Sequence, residues 1–408
     1  MADVFDILDS RGFVSQVTSE AALRKVLSES TVGFYAGFDP TGSSLHIGHL
    51  VPLYAMAHLA RAGHTAYALV GGGTASIGDP SGKTEMRKML SVHQIDEHAA
   101  SISSQIARFF SVAGAQVQIV NNADWLRSLN YIEFLREVGK HFSVNRMLSF
   151  ETYRMRLETG LSFIEFNYQL LQSYDFLVLH RERGVGLQIG GDDQWGNIVA
   201  GVDLIRRMDA AEVEGMTFPL VTRADGKKMG KSEKGAIFLD PALCSPYDFF
   251  QYWRNVPDQD VEKFLKLYTF LDLEEIARIV DPSGDINSAK ERLAWEVTAI
   301  IHGSHEADSV RDTARAAFSG GSGKVDAMPS TELPLGELEV GVPVVELFVR
   351  TGLADSRSAA RRLITQGGAR INDRKVESID DSIDVSWLED GQLICRAGKK
   401  RYHRVVPA

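Results

Sequence analysis

Four short apolar runs, each ended by turn-forming residues, constrain the fold of this chain more than any other feature. They cover residues 32–38, 66–70, 116–120 and 185–189. Segments with helical periodicity lie between them, such as residues 45–62, which stop at Gly63. Buried strands that alternate with helices are typical of an open parallel sheet with helices on both faces. We therefore expect a doubly wound, Rossmann-like α/β fold that binds its ligands at the carboxyl ends of the strands.

The rest of the chain changes character twice. Residues 248–318 have helical periodicity, and the Gly/Ser run at 319–323 indicates a flexible linker. Beyond it, basic residues crowd together. We predict, in order, a Rossmann-like domain (1–222), a loop and linker (223–247), a helical domain (248–318), a flexible linker (319–343) and a basic α+β domain (344–408).

Composition excludes several classes of protein. With 408 residues, 44% hydrophobic and 24% charged, the chain is an ordinary globular protein large enough for several domains. Its two cysteines, Cys244 and Cys395, stand alone, which argues against a disulfide framework or a cysteine zinc site and favours a reducing cytoplasm. The acidic first six residues are not typical of a signal peptide, and no apolar stretch suits a membrane span. The net charge of −10 argues only weakly against nucleic-acid binding, because averages hide local patches.

The strongest chemical signal lies in residues 39–50, where a strand ends, a turn-rich loop follows and a helix begins. His46 and His49 are three residues apart and share a helix face. Gly48 between them leaves room for a flat ring against the backbone. Because N–H groups at a helix start attract anions, this set suits a nucleoside triphosphate. The alternative is a pair of surface histidines.

A second signal is the lysine loop, residues 227–232. It follows the turn pair Asp225-Gly226, and its glycines imply mobility. Lys228 and Lys231 are placed to close over a triphosphate and neutralise charge as pyrophosphate leaves. The alternative is a solvated basic loop.

A helix predicted around residues 166–177 carries a polar stripe. Tyr168, Gln172 and Asp175 share one face, and apolar residues cover the others. A buried polar stripe needs partners, and we expect a polar ligand to supply them in preference to a facing polar element or solvent. Farther on, Gly190 and Gly191 allow close backbone approach at the end of a strand, although a simple tight turn would look the same.

Two segments now identify a family. Residues 46–49 read His-Ile-Gly-His, the HIGH signature of class I aminoacyl-tRNA synthetases, and residues 228–232 resemble their KMSKS signature with Gly230 in place of the middle serine. The flanking residues 35–41 and 188–197 are similar to bacterial tyrosyl-tRNA synthetases, and the resemblance covers nearly the whole chain. It implies ATP-dependent activation of tyrosine and transfer of the tyrosyl group to tRNA(Tyr).

The resemblance also implies roles for residues. The tyrosine-binding residues would be Tyr35, Asp79, Tyr168, Gln172, Asp175 and Gln194, with Tyr35 and Asp175 at the phenol. The ATP-binding residues would be Gly37, Asp39, His46, Gly48, His49, Gly191, Asp193 and Lys231. The catalytic residues would be Thr41, His46, His49, Lys228 and Lys231. Mg²⁺ would arrive with ATP, and no protein-ligated metal is expected.

The C-terminal unit resembles a small RNA-binding domain first described in a ribosomal protein of the small subunit. A predicted amphipathic helix at 356–364 precedes a strand and turn at 367–376. The candidate RNA-binding residues are Arg357, Arg361, Arg362, Arg370 and Lys375. Interspersed acidic residues keep open the alternative of a solvated charged face. Enzymes of this family are commonly homodimers, and the aromatic segment 125–147 is a candidate interface, although aromatic stripes more often belong to the core.

Three other readings remain. A tryptophanyl-tRNA synthetase shares the fold and signatures, but Tyr35 with Asp175 and the basic C-terminal unit favour tyrosine. A nucleotidylyltransferase with a related loop would not need the lysine loop or the long tail. A non-catalytic RNA-binding relative is expected to have lost part of its site, whereas both histidines and both lysines are present here.

Residues 78–84 end like a phosphate-binding P-loop. However, Ile77 stands where the first glycine of that motif should be, and Pro80 has no N–H to offer a phosphate, so we do not interpret the segment as a P-loop.

Overall fold

The structure is a computed structural model that describes residues 3–81, 89–222, 224, 229, 231–232, 235–319, 328–398 and 401–408. It divides into two compact units. The first contains residues Met1–Cys244 and Arg254–Ile301, and the second contains Ser245–Trp253 and His302–Ala408. Within the described residues, no helix has the length and apolar character needed to cross a membrane.

The helices are α1 (Val4–Arg11), α2 (Glu20–Glu29), α3 (Leu50–Arg61), α4 (Val92–Val112), α5 (Ala123–Leu126), α6 (Tyr131–Glu137), α7 (Val144–Ser149), α8 (Glu151–Thr159), α9 (Phe163–Phe166), α10 (Tyr168–Arg183), α11 (Trp195–Asp209), α12 (Pro246–Arg254), α13 (Val261–Tyr268), α14 (Leu273–Ile279), α15 (Ile286–His302), α16 (Ser304–Ser319), α17 (Leu335–Val340), α18 (Val344–Arg350) and α19 (Arg357–Thr365). The strands are β1 (Gly33–Phe38), β2 (Thr65–Val70), β3 (Gln118–Asn121), β4 (Val185–Gly191), β5 (Glu214–Phe218), β6 (Lys231–Ser232), β7 (Gly235–Ala236), β8 (Ser330–Leu333), β9 (Val342–Pro343), β10 (Ala369–Ile371), β11 (Arg374–Lys375), β12 (Ser382–Ile383), β13 (Leu393–Ala397) and β14 (Arg401–Pro407).

A five-stranded parallel sheet forms the centre of the first unit. Its strand order is β3-β2-β1-β4-β5, and every neighbouring pair is parallel. The order reverses between β1 and β4, so the connections leave a crevice at the carboxyl ends of these two strands. The doubly wound fold predicted from the sequence is confirmed, and the switch point fixes where a ligand would bind.

The fifth strand was not predicted from the sequence. All five residues of β5 are buried, yet the segment contains Glu214, Gly215 and Thr217, which interrupt an apolar pattern. Tertiary partners explain this exception, because Thr217 Oγ1 donates to Asp192 Oδ1 at 2.6 Å and Glu214 accepts from the hydroxyl of Thr18. Paired polar groups can occupy a buried strand at little cost.

The helix predicted over residues 45–62 begins later than expected. Leu45 and His46 are in an extended segment, and Ile47–His49 form a single 3-10 turn before α3 begins at Leu50. The backbone of this segment pairs with residues 237–239 instead of forming helical hydrogen bonds. The two histidine rings nevertheless lie together at the entrance to the helix, but they do not share a helix face as the spacing predicted.

The second unit contains its own α+β core. One sheet has the order β11-β10-β13-β14-β8, in which β14 and β8 run parallel and the other pairs are antiparallel. The predicted helix and strand appear as α19 and β10, and Asn372 and Asp373 adopt positive φ in the turn that follows. The buried cluster includes Phe348, Ile364 and Val405.

The predicted flexible linker at 319–343 was too long. Residues 320–327 lie outside the described part of the chain, but β8, α17 and β9 occupy most of residues 330–343. β8 pairs with β14, and Leu333 and Leu338 join the buried cluster. The Pro and Gly residues that suggested a linker delimit short elements: Pro334 immediately precedes α17, and Gly341 ends it.

Candidate active site

The candidate site lies at the carboxyl ends of the sheet strands. Asp39 follows β1, Thr74 follows β2, Asn122 follows β3, and Asp193 follows β4. Helix α10 adds Tyr168, Gln172 and Asp175 from one face, as the spacing predicted. The parallel topology thus brings together side chains that are far apart in the sequence.

Asp175 forms the buried end of the site. The residue is 1% exposed, and both carboxylate oxygens accept hydrogen bonds: Oδ2 from Asn122 Nδ2 at 2.9 Å and Oδ1 from Trp125 Nε1 at 2.8 Å. Burial raises the pKa of Asp175 to about 8, although the two N–H donors oppose the shift. The carboxyl group is therefore held in a fixed orientation in a dry environment.

Tyr35 lies beside this carboxyl group. Tyr35 is 1% exposed, and its hydroxyl is buried without a hydrogen-bond partner among the described residues. Burial, with a further contribution from the charge of Asp175, raises the pKa of the Tyr35 phenol above its ordinary value. A buried unpaired hydroxyl is costly, so it indicates a site where a polar ligand supplies the missing partner.

A chain of hydrogen bonds extends from Asp175 across the site. Asn122 Nδ2 also donates to Thr74 Oγ1 at 3.0 Å, and Thr74 Oγ1 donates to Asp39 Oδ1 at 2.8 Å. Tyr168 completes the chain by donating its hydroxyl to Asp39 Oδ2 at 2.9 Å. The polar stripe on α10 therefore finds partners within the protein, whereas the sequence had favoured a ligand for that purpose.

Gly71 is required for this chain. A Cβ atom there would lie 1.9 Å from Asp39 Oδ1 and 2.5 Å from Thr74 Oγ1. Both atoms belong to the network, so a side chain at this position would displace it.

A second polar chain lies at the end of β4. Gln194 Nε2 donates to Asp79 Oδ2 at 2.7 Å, and Asn197 Nδ2 donates to Gln194 Oε1 at 3.1 Å and to Gln172 Oε1 at 3.0 Å. Burial raises the pKa of Asp193, and the charge of Asp79 adds to that shift. The arrangement surrounds the crevice with carboxylate and amide groups that are suited to amino, carboxyl and hydroxyl groups of a ligand.

The histidine turn forms the outer end of the site. His46 Nδ1 accepts the N–H of Gly48 at 3.1 Å, and His49 Nδ1 accepts the N–H of His46 at 3.1 Å. A neutral imidazole whose Nδ1 accepts a hydrogen bond carries its hydrogen on Nε2. Both rings, with centroids 4.0 Å apart, therefore have Nε2–H donors, which suit phosphate oxygens.

Gly48 makes this reciprocal arrangement possible. A Cβ atom at residue 48 would lie 2.8 Å from His46 Cε1, so a side chain would push the ring away. Gly37, on β1, and Thr41, beyond the end of that strand, are exposed.

The lysine loop can be placed only in part. Lys228 and Gly230 lie outside the described residues, while the backbone of Lys231 pairs with Ala236 in a short antiparallel ladder. The rejected P-loop segment is also described only in part. Its Asp79 accepts the N–H of Ser81 at 2.9 Å in a local turn and extends its other oxygen to Gln194.

Four residues of the site were missed in the sequence: Thr74, Asn122, Trp125 and Asn197. Asn122 belongs to the turn-forming residues that end the third apolar run, and that position at the carboxyl end of β3 was the available signal. Trp125 had been grouped with the candidate dimer segment 125–147, but its indole points to Asp175. Tyr131, Ile132 and Val144 from the same segment are exposed. The segment is therefore divided between the site, the surface and the core, to which Phe134 and Met147 belong.

The five candidate RNA-binding residues of the second unit are exposed. Arg357, Arg361 and Arg362 lie on α19, and Arg370 and Lys375 lie on β10 and β11. Some have acidic neighbours: Arg357 Nη2 lies 2.9 Å from Glu346, and Lys375 Nζ lies 3.4 Å from Glu377. Such exposed pairs are weak and do not prevent a phosphate from competing.

Comparison with known proteins agrees with this geometry. Residues 27–319 match the family described as tRNA synthetases class I (W and Y), and the chain belongs to that family. Residues 322–405 match the C-terminal domain of the tyrosine–tRNA ligase type.

Individual relatives cover the whole chain. A tyrosine–tRNA ligase from Treponema denticola is 59% identical over 407 residues and covers 100% of both chains. One from Acetivibrio thermocellus is 51% identical and covers 99% of both. A crystal structure of a C-terminally truncated mitochondrial tyrosyl-tRNA synthetase from Aspergillus nidulans is similar with a TM-score of 0.71 and 30% identity, over 78% of this chain and 95% of that one.

Proposed function

We propose that the chain activates L-tyrosine with ATP, releasing pyrophosphate, and transfers tyrosine from the adenylate to the 3′ end of tRNA(Tyr). Family membership and full-length relatives named as tyrosine–tRNA ligases support this activity. The observation that most directly supports the choice of tyrosine is the Tyr35 hydroxyl, which lies beside the buried carboxyl group of Asp175 and has no partner among the residues that the structure describes.

The phenol of the substrate supplies what this end of the site lacks. It is both a donor and an acceptor, so it pairs with the Tyr35 hydroxyl and with Asp175 at once. Phenylalanine fills the same space but leaves the Tyr35 hydroxyl unpaired and offers no hydrogen bond to Asp175 in a dry environment. Tyrosyl-tRNA synthetases are the established example of discrimination by this effect.

The amino and carboxyl groups of tyrosine face the second polar chain. Asp79, Tyr168 and Gln172 are the residues that we assign to the ammonium group, and Gln194 is the one that we assign to the carboxylate. The carboxylate oxygen attacks the α-phosphorus of ATP in line, an O–P bond forms, and the bond to pyrophosphate breaks. No enzyme nucleophile is needed, so the rate depends on positioning and charge stabilisation.

The phosphates of ATP lie at the outer end. We assign Thr41 and the Nε2–H donors of His46 and His49 to the triphosphate, with Lys228 and Lys231 added from the lysine loop. Gly37, Asp39, Gly48, Gly191 and Asp193 are assigned to the nucleoside and its approach to the backbone. Mg²⁺ enters bound to ATP, and a terminal ribose hydroxyl of the tRNA then attacks the tyrosyl carbonyl and releases AMP.

An ATP–pyrophosphate exchange assay tests the activation step. Purified protein is given ATP, Mg²⁺ and labelled pyrophosphate with tyrosine, phenylalanine or tryptophan in turn. We expect exchange with tyrosine alone. Exchange with tryptophan would reject the assignment of Tyr35 and Asp175, and exchange with none of the three would reject the enzymatic function.

We further propose that the basic residues of α19, β10 and β11 bind tRNA phosphates, while the helical segment 248–318 approaches the anticodon. Each lost phosphate contact should reduce the slope of log affinity against log salt by about 0.7–0.9. The double variant R361A/R362A is therefore expected to weaken tRNA binding and flatten the salt dependence. R24A, on α2 of the first unit, is the control, and equal salt slopes for all three proteins would reject this surface.

We also propose a homodimer that works in the cytoplasm, where charged tRNA is consumed. The exposed Tyr131, Ile132 and Val144 are apolar side chains suited to an interface. Sedimentation of the wild type and of I132E tests the dimer. A wild-type monomer at micromolar concentration, or an I132E dimer of unchanged affinity, would reject this interface.

A further inference from the structure

A polar stripe on α4 follows the loop that leads to the histidine turn. His98, Ser101 and Gln105 are spaced by three and four residues, so they share one helix face. Each contacts the backbone of residues 40–45. The contacts are His98 Nδ1 with Pro40 O (3.3 Å), Ser101 Oγ with Ser43 O (2.7 Å) and Gln105 Oε1 with Leu45 N (2.9 Å). The helix therefore holds this loop at three successive points.

Gln105 has the most central position of the three. Besides accepting the N–H of Leu45, its amide oxygen lies 3.2 Å from Ser44 Oγ. Ser44 Oγ in turn accepts the N–H of Asp240 at 3.2 Å. Ser44 and Leu45 are buried, at 6% and 2% exposure, so water does not replace a lost partner easily.

The other side of the same loop pairs with the segment that follows the lysine loop in sequence. Leu239 donates its N–H to Leu45 O at 2.9 Å, and Ile47 donates its N–H to Ile237 O at 3.0 Å. Leu45 is thus held from both sides, by Gln105 through its N–H and by residue 239 through its carbonyl. The histidine turn begins at the next residue.

We propose that Gln105 is a positioning residue for the activation step, because it fixes Leu45 and Ser44 and so aligns the histidine turn with the segment beyond the lysine loop. The proposal rests on the function proposed above. Gln105 acts through its acceptor oxygen: the N–H of Leu45 needs an acceptor, and an apolar side chain of similar length does not provide one. A shift of the loop misplaces His46 and His49 relative to the phosphates.

The test compares two near-isosteric variants in the exchange assay. Q105M removes the acceptor and keeps the length of the side chain, whereas Q105E keeps an acceptor oxygen. S104A is the matched control. Ser104 directly precedes Gln105 on α4, is exposed, and in the described contacts donates only to Ala100 O of its own helix. We expect Q105M to lower kcat on the order of tenfold with an unchanged KM for tyrosine, and Q105E and S104A to stay within about twofold of the wild type.

Two results would overturn the proposal while the wild type remains active. One is wild-type kcat in Q105M. The other is an equal loss in Q105M and Q105E that follows a lowered melting temperature, which would indicate packing alone. Absence of tyrosine-dependent exchange in the wild type is a different failure and counts against the proposed function itself.

Discussion

The two ends of the candidate site are built in different ways. At the buried end, Asp175 is held by Asn122 and Trp125, side chains that come from other segments of the chain. At the outer end, His46 and His49 are held by backbone N–H groups of the same four-residue turn. The buried end is dry and is assembled from distant segments of the chain, while the outer end is half-exposed and is formed by one short segment. Selectivity for a side chain thus depends on tertiary assembly, whereas binding of phosphates depends on a short motif.

The largest effect is expected at the buried end. In D175N an amide N–H replaces an acceptor and meets the N–H donor of Asn122 or Trp125, and the substrate phenol loses one of its two partners. We expect kcat/KM for tyrosine to fall about a thousandfold, ~4 kcal/mol, with little change in the KM for ATP. Exchange kinetics with each substrate varied in turn measure both. An equal loss for both substrates would show that the two ends are not independent.

A smaller effect is expected at the outer end, where a substitution should lower kcat without weakening the binding of tyrosine. H46A removes one Nε2–H donor and the acceptor for the N–H of Gly48. We expect kcat to fall about a hundredfold, as for loss of one donor to developing charge. The KM for tyrosine should not change. If tyrosine binding, measured by equilibrium dialysis without ATP, weakens as much as kcat falls, the division of the site into two ends is wrong.

Two buried tyrosines provide a matched pair for stability. The hydroxyl of Tyr35 has no hydrogen-bond partner within the described part of the chain, whereas the hydroxyl of Tyr153 donates to Phe166 O at 3.2 Å. Without ligand, Y35F should raise the free energy of unfolding by ~1 kcal/mol, and Y153F should lower it by a similar amount. Urea denaturation of both variants measures this. A loss of stability in Y35F would mean that its hydroxyl already has a partner in the free protein.

An effect of similar size is a dependence of stability on pH. Because burial raises the pKa of Asp175 to about 8, the folded protein keeps a proton between about pH 4 and pH 8 that the unfolded chain releases. The contribution of Asp175 to stability therefore decreases as pH rises through this window. Relative to the wild type, D175N should gain ~1 kcal/mol between pH 6 and pH 7.

A surface carboxylate supplies the control for this pH effect. Arg181 lowers the pKa of Asp209, so its carboxylate is ionised in both states at pH 6–7. The stability difference between D209N and the wild type should then be constant across that interval. If the urea midpoints of D175N and the wild type changed in parallel between pH 6 and pH 7, as is expected for D209N, Asp175 would already be ionised in the folded protein.

The same contrast explains what the sequence could predict. The histidine turn, the stripe on α10 and four of the five parallel strands follow from local spacing and were identified. Thr74, Asn122 and Trp125 were missed because their importance arises from partners on other segments, which a single sequence does not display. β5 and β8 were missed for a related reason: polar residues in β5 are paired by tertiary contacts, and β8 is stabilised by β14, far along the chain. The roles of the site residues remain predictions for the experiments above.

The contact between Trp125 and Asp175 gives the molecule an internal optical reporter. An indole whose N–H is bonded to a carboxyl group emits at a wavelength and intensity that depend on the charge and hydration of that group. Any ligand that reaches Asp175 changes the charge and hydration of its carboxyl group. Occupancy of the buried end should therefore be visible in the intrinsic fluorescence without a label. The chain has five tryptophans, and the signal that belongs to this one is the part that W125F removes.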